Sequence, residues 1–103
     1  MTPTYQSTRG KSPDISFDEA LMSGLAPDGG LYLPSSYPQL PGDWKSAKSL
    51  IKLASIIFSL YVNQRIQASL FEDALDFPIP IKILSRERYV LELFHGPTLA
   101  FKD

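Results

Sequence analysis

The chain has 103 residues, of which 44% are hydrophobic and 20% are charged, and its formal net charge is −1. This size and composition are typical of one small globular domain, and a charge so close to zero argues against nucleic acid or an anionic membrane surface as a partner. The lack of cysteine excludes disulfides, thiolate metal sites and a cysteine nucleophile, and a single histidine cannot build a multi-histidine zinc site.

The N-terminal residues give no targeting signal. Residues 1–6 carry neither the basic nor the apolar segment of a secretory signal, and no stretch approaches the roughly 20 apolar residues that a membrane helix needs. We therefore expect a cytoplasmic protein that binds no membrane, no nucleic acid and no structural metal.

The first half of the chain predicts a strand, a short helix and a turn. Residues 4–8 are rich in β-forming residues, and Ser16 and Glu19 have the spacing of a helix capping box. Gly24 is placed to end that helix in a left-handed conformation. The sequence Pro-Asp-Gly-Gly at residues 27–30 predicts a turn, since glycine supplies positive φ and aspartate bonds the backbone ahead of it. A ligand-binding loop is the less favoured interpretation, because the chain has no glycine-rich phosphate-binding pattern.

The second half of the chain predicts two helices followed by a β-hairpin. Apolar residues at helical spacing predict the main core helix over Leu50–Tyr61, and a second helix over residues 67–76 must end before Pro78. Residues 79–84 and 89–94 have the composition of strands, and the polar residues between them favour a hairpin. We expect the core to be centred on residues of the main helix and the last strand: Leu53, Ile57, Leu60 and Leu91.

Most polar residues form no constellation with catalytic spacing. Neighbouring carboxylates such as Glu72 and Asp73 point in different directions on a helix and cannot share a substrate, so a solvated face explains them better. A nucleophile and base formed by His95 with Ser7 or Ser12 has no spacing to support it, and a turn histidine is the preferred interpretation.

The end of the chain is the exception. Residues 92–103 read Glu-Leu-Phe-His-Gly-Pro-Thr-Leu-Ala-Phe-Lys-Asp, and this long run resembles the segment of threonine synthases that presents the lysine of pyridoxal phosphate. The sequence Ser-Thr-Arg-Gly at residues 7–10 and the sequence of residues 16–34 agree with that family in order and spacing. Residues 74–80 are similar to its bacterial members. The resemblance therefore extends over both ends and much of the middle of the chain.

The resemblance implies a fold class and a domain organisation. The fold implied is α/β, the N-terminal domain of a fold-type II enzyme similar to tryptophan synthase β, with short strands and two to three helices. Residues 1–94 would form this N-terminal α/β domain, and residues 95–103 would be the truncated start of the cofactor-binding catalytic region. Threonine synthases are several times longer, and their phosphate loop and most substrate contacts follow the lysine. We therefore expect an N-terminal fragment that is inactive alone.

The resemblance also implies a reaction and the residues that serve it. The whole protein would use pyridoxal 5'-phosphate to convert O-phospho-L-homoserine and water into L-threonine and phosphate, with Lys102 as the catalytic, cofactor-binding residue. Thr98 and Asp103 match the same motif and are candidates for shaping the pocket, with no proton-transfer role assigned to either. His95 and Glu92 also match the motif as structural residues, and His95 is a further candidate for the pocket. We expect a small-molecule substrate and favour a monomer.

Two alternatives stay open at this point. Nothing before Lys102 distinguishes a threonine synthase from a threonine synthase-like phospholyase, which would release phosphate and yield a keto acid and ammonia. The other alternative is a non-catalytic scaffold or interaction domain.

Overall fold

The computed structural model describes residues 1–103 as two compact units, Met1–Gln67 and Ala68–Asp103. The chain contains four short strands, three α-helices and one 3₁₀ helix. None of its helices has the length and apolar character needed to cross a membrane. The α/β composition with two to three α-helices is confirmed, whereas the boundary after residue 94 stays a prediction.

The first unit begins with a two-stranded antiparallel sheet. Strand β1 (Tyr5–Ser7) pairs with β2 (Tyr32–Pro34), which confirms the strand expected near the N-terminus. The pairing is continued by the Thr8 amide, which donates to the Leu31 carbonyl at 2.8 Å. The sheet therefore brings the end of β1 beside the turn at residues 27–30, which lies just before β2.

Helix α1 (Phe17–Ser23) has the start and the end that its sequence predicts. The Ser16 hydroxyl accepts from the Glu19 amide at 3.3 Å, and the Glu19 carboxylate accepts from the Ser16 amide at 2.9 Å. The hydrogen bond from the Ser16 amide is the main reason that the pKa of Glu19 lies below its ordinary value. Gly24 ends the helix as predicted, with a positive φ of 70° that glycine adopts without steric cost, but its ψ of −76° differs from that of the expected left-handed helical conformation.

Helix α2 (Leu50–Tyr61) has the bounds that its apolar spacing predicts. Ser49 caps it, since its hydroxyl accepts from the Lys52 amide at 3.1 Å. The short 3₁₀ helix Trp44–Ser46 precedes α2 and has no signal in the apolar pattern.

The core of the first unit lies around β1 and the end of α2, so the expected centre in the middle of α2 is wrong. Tyr5 is buried, meets the Phe17 ring edge-on at 5.6 Å, and donates to the Tyr61 carbonyl at 3.2 Å. Val62, just after α2, is only 5% exposed. The contact with Tyr5 lies at the C-terminal end of α2, and no residue of this helix is fully buried. The following residues in the body of α2 are only partly buried: Leu53, Ile57 and Leu60.

The second unit consists of helix α3 (Ala68–Ala74) and a hairpin of β3 (Ile81–Ser85) and β4 (Arg88–Leu91). The antiparallel pairing confirms the predicted hairpin. Its strands are shorter than predicted because Pro80 has no amide to donate, although its carbonyl still accepts from the Glu92 amide at 3.0 Å.

Phe71 of α3 is the buried apolar residue of this second unit. The expectation that Leu91 lies in the core is wrong, because its side chain is 53% exposed. A sheet of two strands covers neither of its own faces, so Leu91 stays open unless another element packs on it.

Candidate active site

The candidate cofactor lysine lies in the irregular chain that follows β4. The predicted turn is present: the Leu99 amide donates to the Gly96 carbonyl at 3.1 Å, and a second turn follows in which the Asp103 amide donates to the Ala100 carbonyl at 3.2 Å. Lys102 lies in this second turn, its side chain is exposed, and it takes part in no ion pair. The amine is therefore accessible and is not neutralised by a carboxylate.

Asp103 closes this segment with its side chain. Its carboxylate accepts from the Thr98 hydroxyl at 2.5 Å, from the Thr98 amide at 3.0 Å and from the Ala100 amide at 3.3 Å. These hydrogen bonds, with that of the Thr98 hydroxyl first, hold the pKa of Asp103 below its ordinary value, since they stabilise the charged form. Two of the predicted pocket residues, Thr98 and Asp103, are thus brought into direct contact.

Two backbone positions indicate how tightly this segment turns. Leu99 has φ of 60°, a left-handed angle that costs a residue with a Cβ roughly 1–2 kcal/mol. Gly96 is buried, and a Cβ at this position would overlap the Asp103 side chain. The sequence presents Gly96 only as a turn glycine, and the contact that requires glycine arises from the folded segment.

His95, the third predicted pocket residue, pairs with a residue of the same motif. Its Nε2 lies 2.7 Å from Oε2 of Glu92, and the centre of its ring lies 4.6 Å from that of Phe94. Ser7 donates its hydroxyl to Asp28. His95 and Ser7 therefore have separate partners, which gives no support to a serine and histidine catalytic pair.

A cavity of ≈ 70 Å³ lies within the second unit. Its walls are mainly apolar, with Phe77, Leu93 and Phe101 among them, and His95 and Asp103 contribute polar groups. Lys102 is not one of the residues that line it. Phe101 and Asp103 border the cavity, and Lys102 and most of Phe101 are exposed to solvent.

A second carboxylate-centred turn lies in the first unit. The Asp28 carboxylate accepts from the Ser7 hydroxyl at 2.6 Å, from the Lys11 amide at 2.9 Å and from the Gly30 amide at 2.9 Å. The Ser7 hydroxyl is the main reason that the pKa of Asp28 falls to about 2, and the two amides act in the same direction. We call these four residues the Asp28 clasp.

The Asp28 clasp is reinforced by the residues beside it. Arg9 donates through Nη1 to the Asp28 carbonyl at 3.0 Å, and the Thr8 hydroxyl accepts from the Leu31 amide at 3.0 Å. The turn expected at residues 27–30 is confirmed, but the sequence does not indicate its contact with residues 7–11. The one signal that could have found this contact is the presence of both stretches among the motifs of one family. The Asp28 carboxylate therefore joins residues 7–11 to the turn at residues 27–30.

Comparison with protein families and curated proteins points to the family that the motifs resemble. A family model described as the threonine synthase N terminus matches residues 4–76. The threonine synthase of Schizosaccharomyces pombe is 44% identical over an alignment that covers 97% of this chain and 22% of that protein. Threonine synthase-like 2 of Mus musculus is 37% identical over an alignment that covers 96% of this chain and 23% of that protein.

Solved structures give the same answer for the fold. A threonine synthase from Brucella melitensis with pyridoxal phosphate bound is 39% identical and superposes with a TM-score of 0.80 over 98% of this chain and 24% of its own. The threonine synthase from Escherichia coli, at 26% identity, gives a TM-score of 0.83 over 96% and 25% of the two chains. The chain thus spans about a quarter of the length of these relatives. It belongs to the threonine synthase family, whose N-terminal region it matches.

Proposed function

We propose that the protein to which this chain contributes is a pyridoxal-phosphate-dependent carbon–oxygen lyase that converts O-phospho-L-homoserine and water into L-threonine and phosphate. The observation that carries the proposal is the exposed amine of Lys102, free of any ion pair, in a segment closed by Asp103. Relatives named threonine synthase cover nearly the whole chain, and one of their structures holds pyridoxal phosphate.

The residues present fit this cofactor. A primary amine free of an ion pair is the group that combines with the aldehyde of pyridoxal phosphate, and Lys102 offers one. When bound, pyridoxal phosphate supplies an electron sink beside the substrate Cα. Lys102 would bind the cofactor through Nζ, and Nζ can afterwards accept or return a proton at Cα. Thr98 and Asp103 would hold the surrounding turn without carrying a proton.

The domain organisation and the activity of the isolated chain follow from the same proposal. Residues 1–94 would form the N-terminal domain, and residues 95–103 would begin the catalytic region. We expect no turnover by the isolated chain, since it spans only 22% of the Schizosaccharomyces pombe enzyme and a phosphate-binding loop is not among its motifs. The whole protein is proposed to act on a small molecule, as a cytoplasmic monomer. Threonine formed above background by the purified 103-residue chain would contradict the inactivity.

A second candidate function is that of a threonine synthase-like phospholyase. It is favoured by one observation: threonine synthase-like 2 of Rattus norvegicus is 38% identical to this chain, and the threonine synthase of Saccharomyces cerevisiae is 39% identical. The two activities give different products, since a phospholyase releases a keto acid and ammonia. Product analysis with the full-length protein distinguishes them, and no turnover of either kind would support a scaffold.

The attachment site of the cofactor tests the proposal directly. Borohydride reduction of the full-length protein loaded with pyridoxal phosphate should fix the cofactor on the peptide that contains Lys102. We expect Lys102→Ala to abolish both labelling and turnover with the fold retained, because the amine serves chemistry and is exposed. Lys102→Arg should not rescue turnover, since a guanidinium stays protonated and cannot bind the aldehyde.

Lys82→Ala is the matched control, because Lys82 is an exposed lysine of β3 in the same unit. This variant should be labelled at Lys102 and should turn over like the wild type. Labelling at a different lysine, or turnover by Lys102→Ala at the wild-type rate, would refute the proposed site.

A further inference from the structure

We propose that Asp103 is a positioning residue for Lys102, because its side chain fixes the backbone turn from which the cofactor lysine projects. This inference rests on the proposed function of Lys102 and adds to it the residue that holds the amine in place. Three hydrogen bonds carry it, from the Thr98 hydroxyl, the Thr98 amide and the Ala100 amide to the Asp103 carboxylate.

The backbone around Leu99 is not held in place by apolar packing. Leu99 adopts the left-handed angle of 60°, and its side chain is 73% exposed, so apolar packing does not hold it there. The amides of Thr98 and Ala100, the residues before and after Leu99, both donate to Asp103. The carboxylate therefore bridges the position where the backbone is under strain.

Close packing against Gly96 fixes the position of the Asp103 side chain. Gly96 is buried, and a Cβ on it would overlap the Cβ and the carboxylate of Asp103. Asp103 also borders the apolar cavity, as does Phe101. Lys102 directly precedes Asp103 in the chain, so the anchored neighbour determines where the backbone of Lys102 lies.

The geometry indicates an effect through hydrogen bonds and not through charge on the lysine. The Asp103 carboxylate forms no ion pair with Lys102. One oxygen, Oδ2, accepts from both amides, and Oδ1 accepts from the Thr98 hydroxyl. An asparagine can reproduce this pattern, since its oxygen can accept from the amides while its amide group donates to the hydroxyl, which also has acceptor lone pairs.

The test measures how fast the lysine captures its cofactor in the full-length protein. Apoprotein is mixed with pyridoxal phosphate, samples are reduced with borohydride at successive times, and the Lys102 peptide is quantified by mass spectrometry. We expect Asp103→Ala to slow labelling and to lower kcat by up to about 100-fold, because misplacement of a reacting group by about 1 Å has an effect of that size. KM should change little. Asp103→Asn should label and turn over close to the wild-type rate.

Asp73→Ala is the matched control, since Asp73 is an exposed carboxylate of α3 in the same unit. It should behave like the wild type, and the thermal midpoints of the Asp73 and Asp103 variants should agree with that of the wild type. Gly96→Ala should slow labelling as Asp103→Ala does, because it displaces the carboxylate without removing it.

Each result bears on the inference separately from the proposed function. Labelling of the wild type at a lysine other than Lys102 refutes the function. If Lys102 is labelled in the wild type, equally fast labelling in Asp103→Ala overturns the positioning role. Equal loss in Asp103→Asn and Asp103→Ala also overturns it, because charge would then be what matters. Should Asp103→Ala fail to fold, wild-type labelling in Gly96→Ala overturns it.

Discussion

The two units each contain an aspartate whose carboxylate organises a glycine-containing turn, but the reach of the two carboxylates differs. Asp28 accepts from Ser7 and Lys11, which are 21 and 17 positions away in the chain. Asp103 accepts from Thr98 and Ala100, which are only 5 and 3 positions away. The same chemistry therefore joins distant segments in one unit and shapes a single local segment in the other.

This difference in reach predicts a difference in consequence. Loss of a long-range contact reopens a loop whose closure costs conformational entropy, so the stability of the whole unit is affected. Loss of a local contact frees only the residues of that turn. We expect changes at the Asp28 clasp to lower the free energy of unfolding, and changes around Asp103 to alter local order and, in the full-length protein, the chemistry of Lys102.

Gly30→Ala should have the largest effect on stability. Gly30 is buried, and a Cβ there would overlap the Ser7 hydroxyl oxygen and approach the Asp28 carboxylate to 3.0 Å. Because the Asp28 clasp cannot widen without losing its hydrogen bonds, we expect the free energy of unfolding to fall by about 1–3 kcal/mol. Urea unfolding of the purified chain measures this loss.

Gly42→Ala is the control for this substitution. Gly42 has nothing within 4 Å of the Cβ position and no positive φ. The free energy of unfolding of the Gly42→Ala variant should differ from that of the wild type by no more than about 0.5 kcal/mol. Equal unfolding midpoints for the two variants would show that the Asp28 clasp does not limit the stability of the first unit.

Acid should unfold the first unit through the Asp28 clasp. The folded-state pKa of Asp28 is about 2, below the value of about 3.9 for an unfolded aspartate. The ionised carboxylate therefore contributes stability that is fully present above about pH 4 and is lost as the pH falls towards about 2. Unfolding midpoints measured from pH 6 downwards should decrease over this window.

Two asparagine variants separate the contributions to this acid response. Asp28→Asn should flatten the decrease between about pH 4 and about pH 2, because the titrating group is removed. Asp103→Asn should leave most of it in place, although the pKa of Asp103 is also lowered, since its protonation releases only a local turn. If both variants flatten the response equally, the contrast in reach between the two carboxylates is wrong.

Features determined by neighbouring residues could be predicted from the sequence. The capping box of Ser16 and Glu19 and the bounds of α2 depend on spacings of a few residues, and both are present as expected. The hairpin of β3 and β4 also follows from local composition, with Pro80 setting where its amide pairing begins.

Features that depend on which distant segments meet could not be predicted. In the sequence, Asp28 is the aspartate of an ordinary turn, because the hydroxyl that lowers its pKa belongs to Ser7, which lies 21 positions earlier in the chain. Leu91 has the apolar character of a core residue, yet it is exposed because its sheet has two strands. For the candidate site, Lys102 came from the resemblance alone, and the pairing of Thr98 with Asp103 came from the structure.

Ser7→Ala should have a smaller effect than Gly30→Ala. It removes the main cause of the lowered pKa of Asp28 and leaves the Gly30 and Lys11 amides as donors. NMR titration should therefore find the pKa of Asp28 above its present value of about 2, with a loss of about 0.5–1.5 kcal/mol in the free energy of unfolding.

Ser12→Ala is the matched control for Ser7→Ala. The Ser12 hydroxyl accepts from the Asp28 amide at 3.3 Å and is the last of the causes that lower the pKa of Asp28. Its removal should raise that pKa less than the removal of Ser7 does. An equal rise in the two variants would mean that the Ser7 hydroxyl has no special part in the Asp28 clasp.

Thr98→Val should have the smallest effect on stability, because it removes a contact within the local Asp103 turn. The substitution keeps the shape of the side chain and removes the hydroxyl that is the main cause of the lowered pKa of Asp103. That pKa should rise, and the Ala100 amide, which also donates to the carboxylate, should exchange with solvent faster. Because Thr98 is exposed, the free energy of unfolding should stay within about 0.5 kcal/mol of the wild type. A larger loss of stability would mean that the Asp103 turn supports the fold of its unit and does more than hold the residues around Lys102.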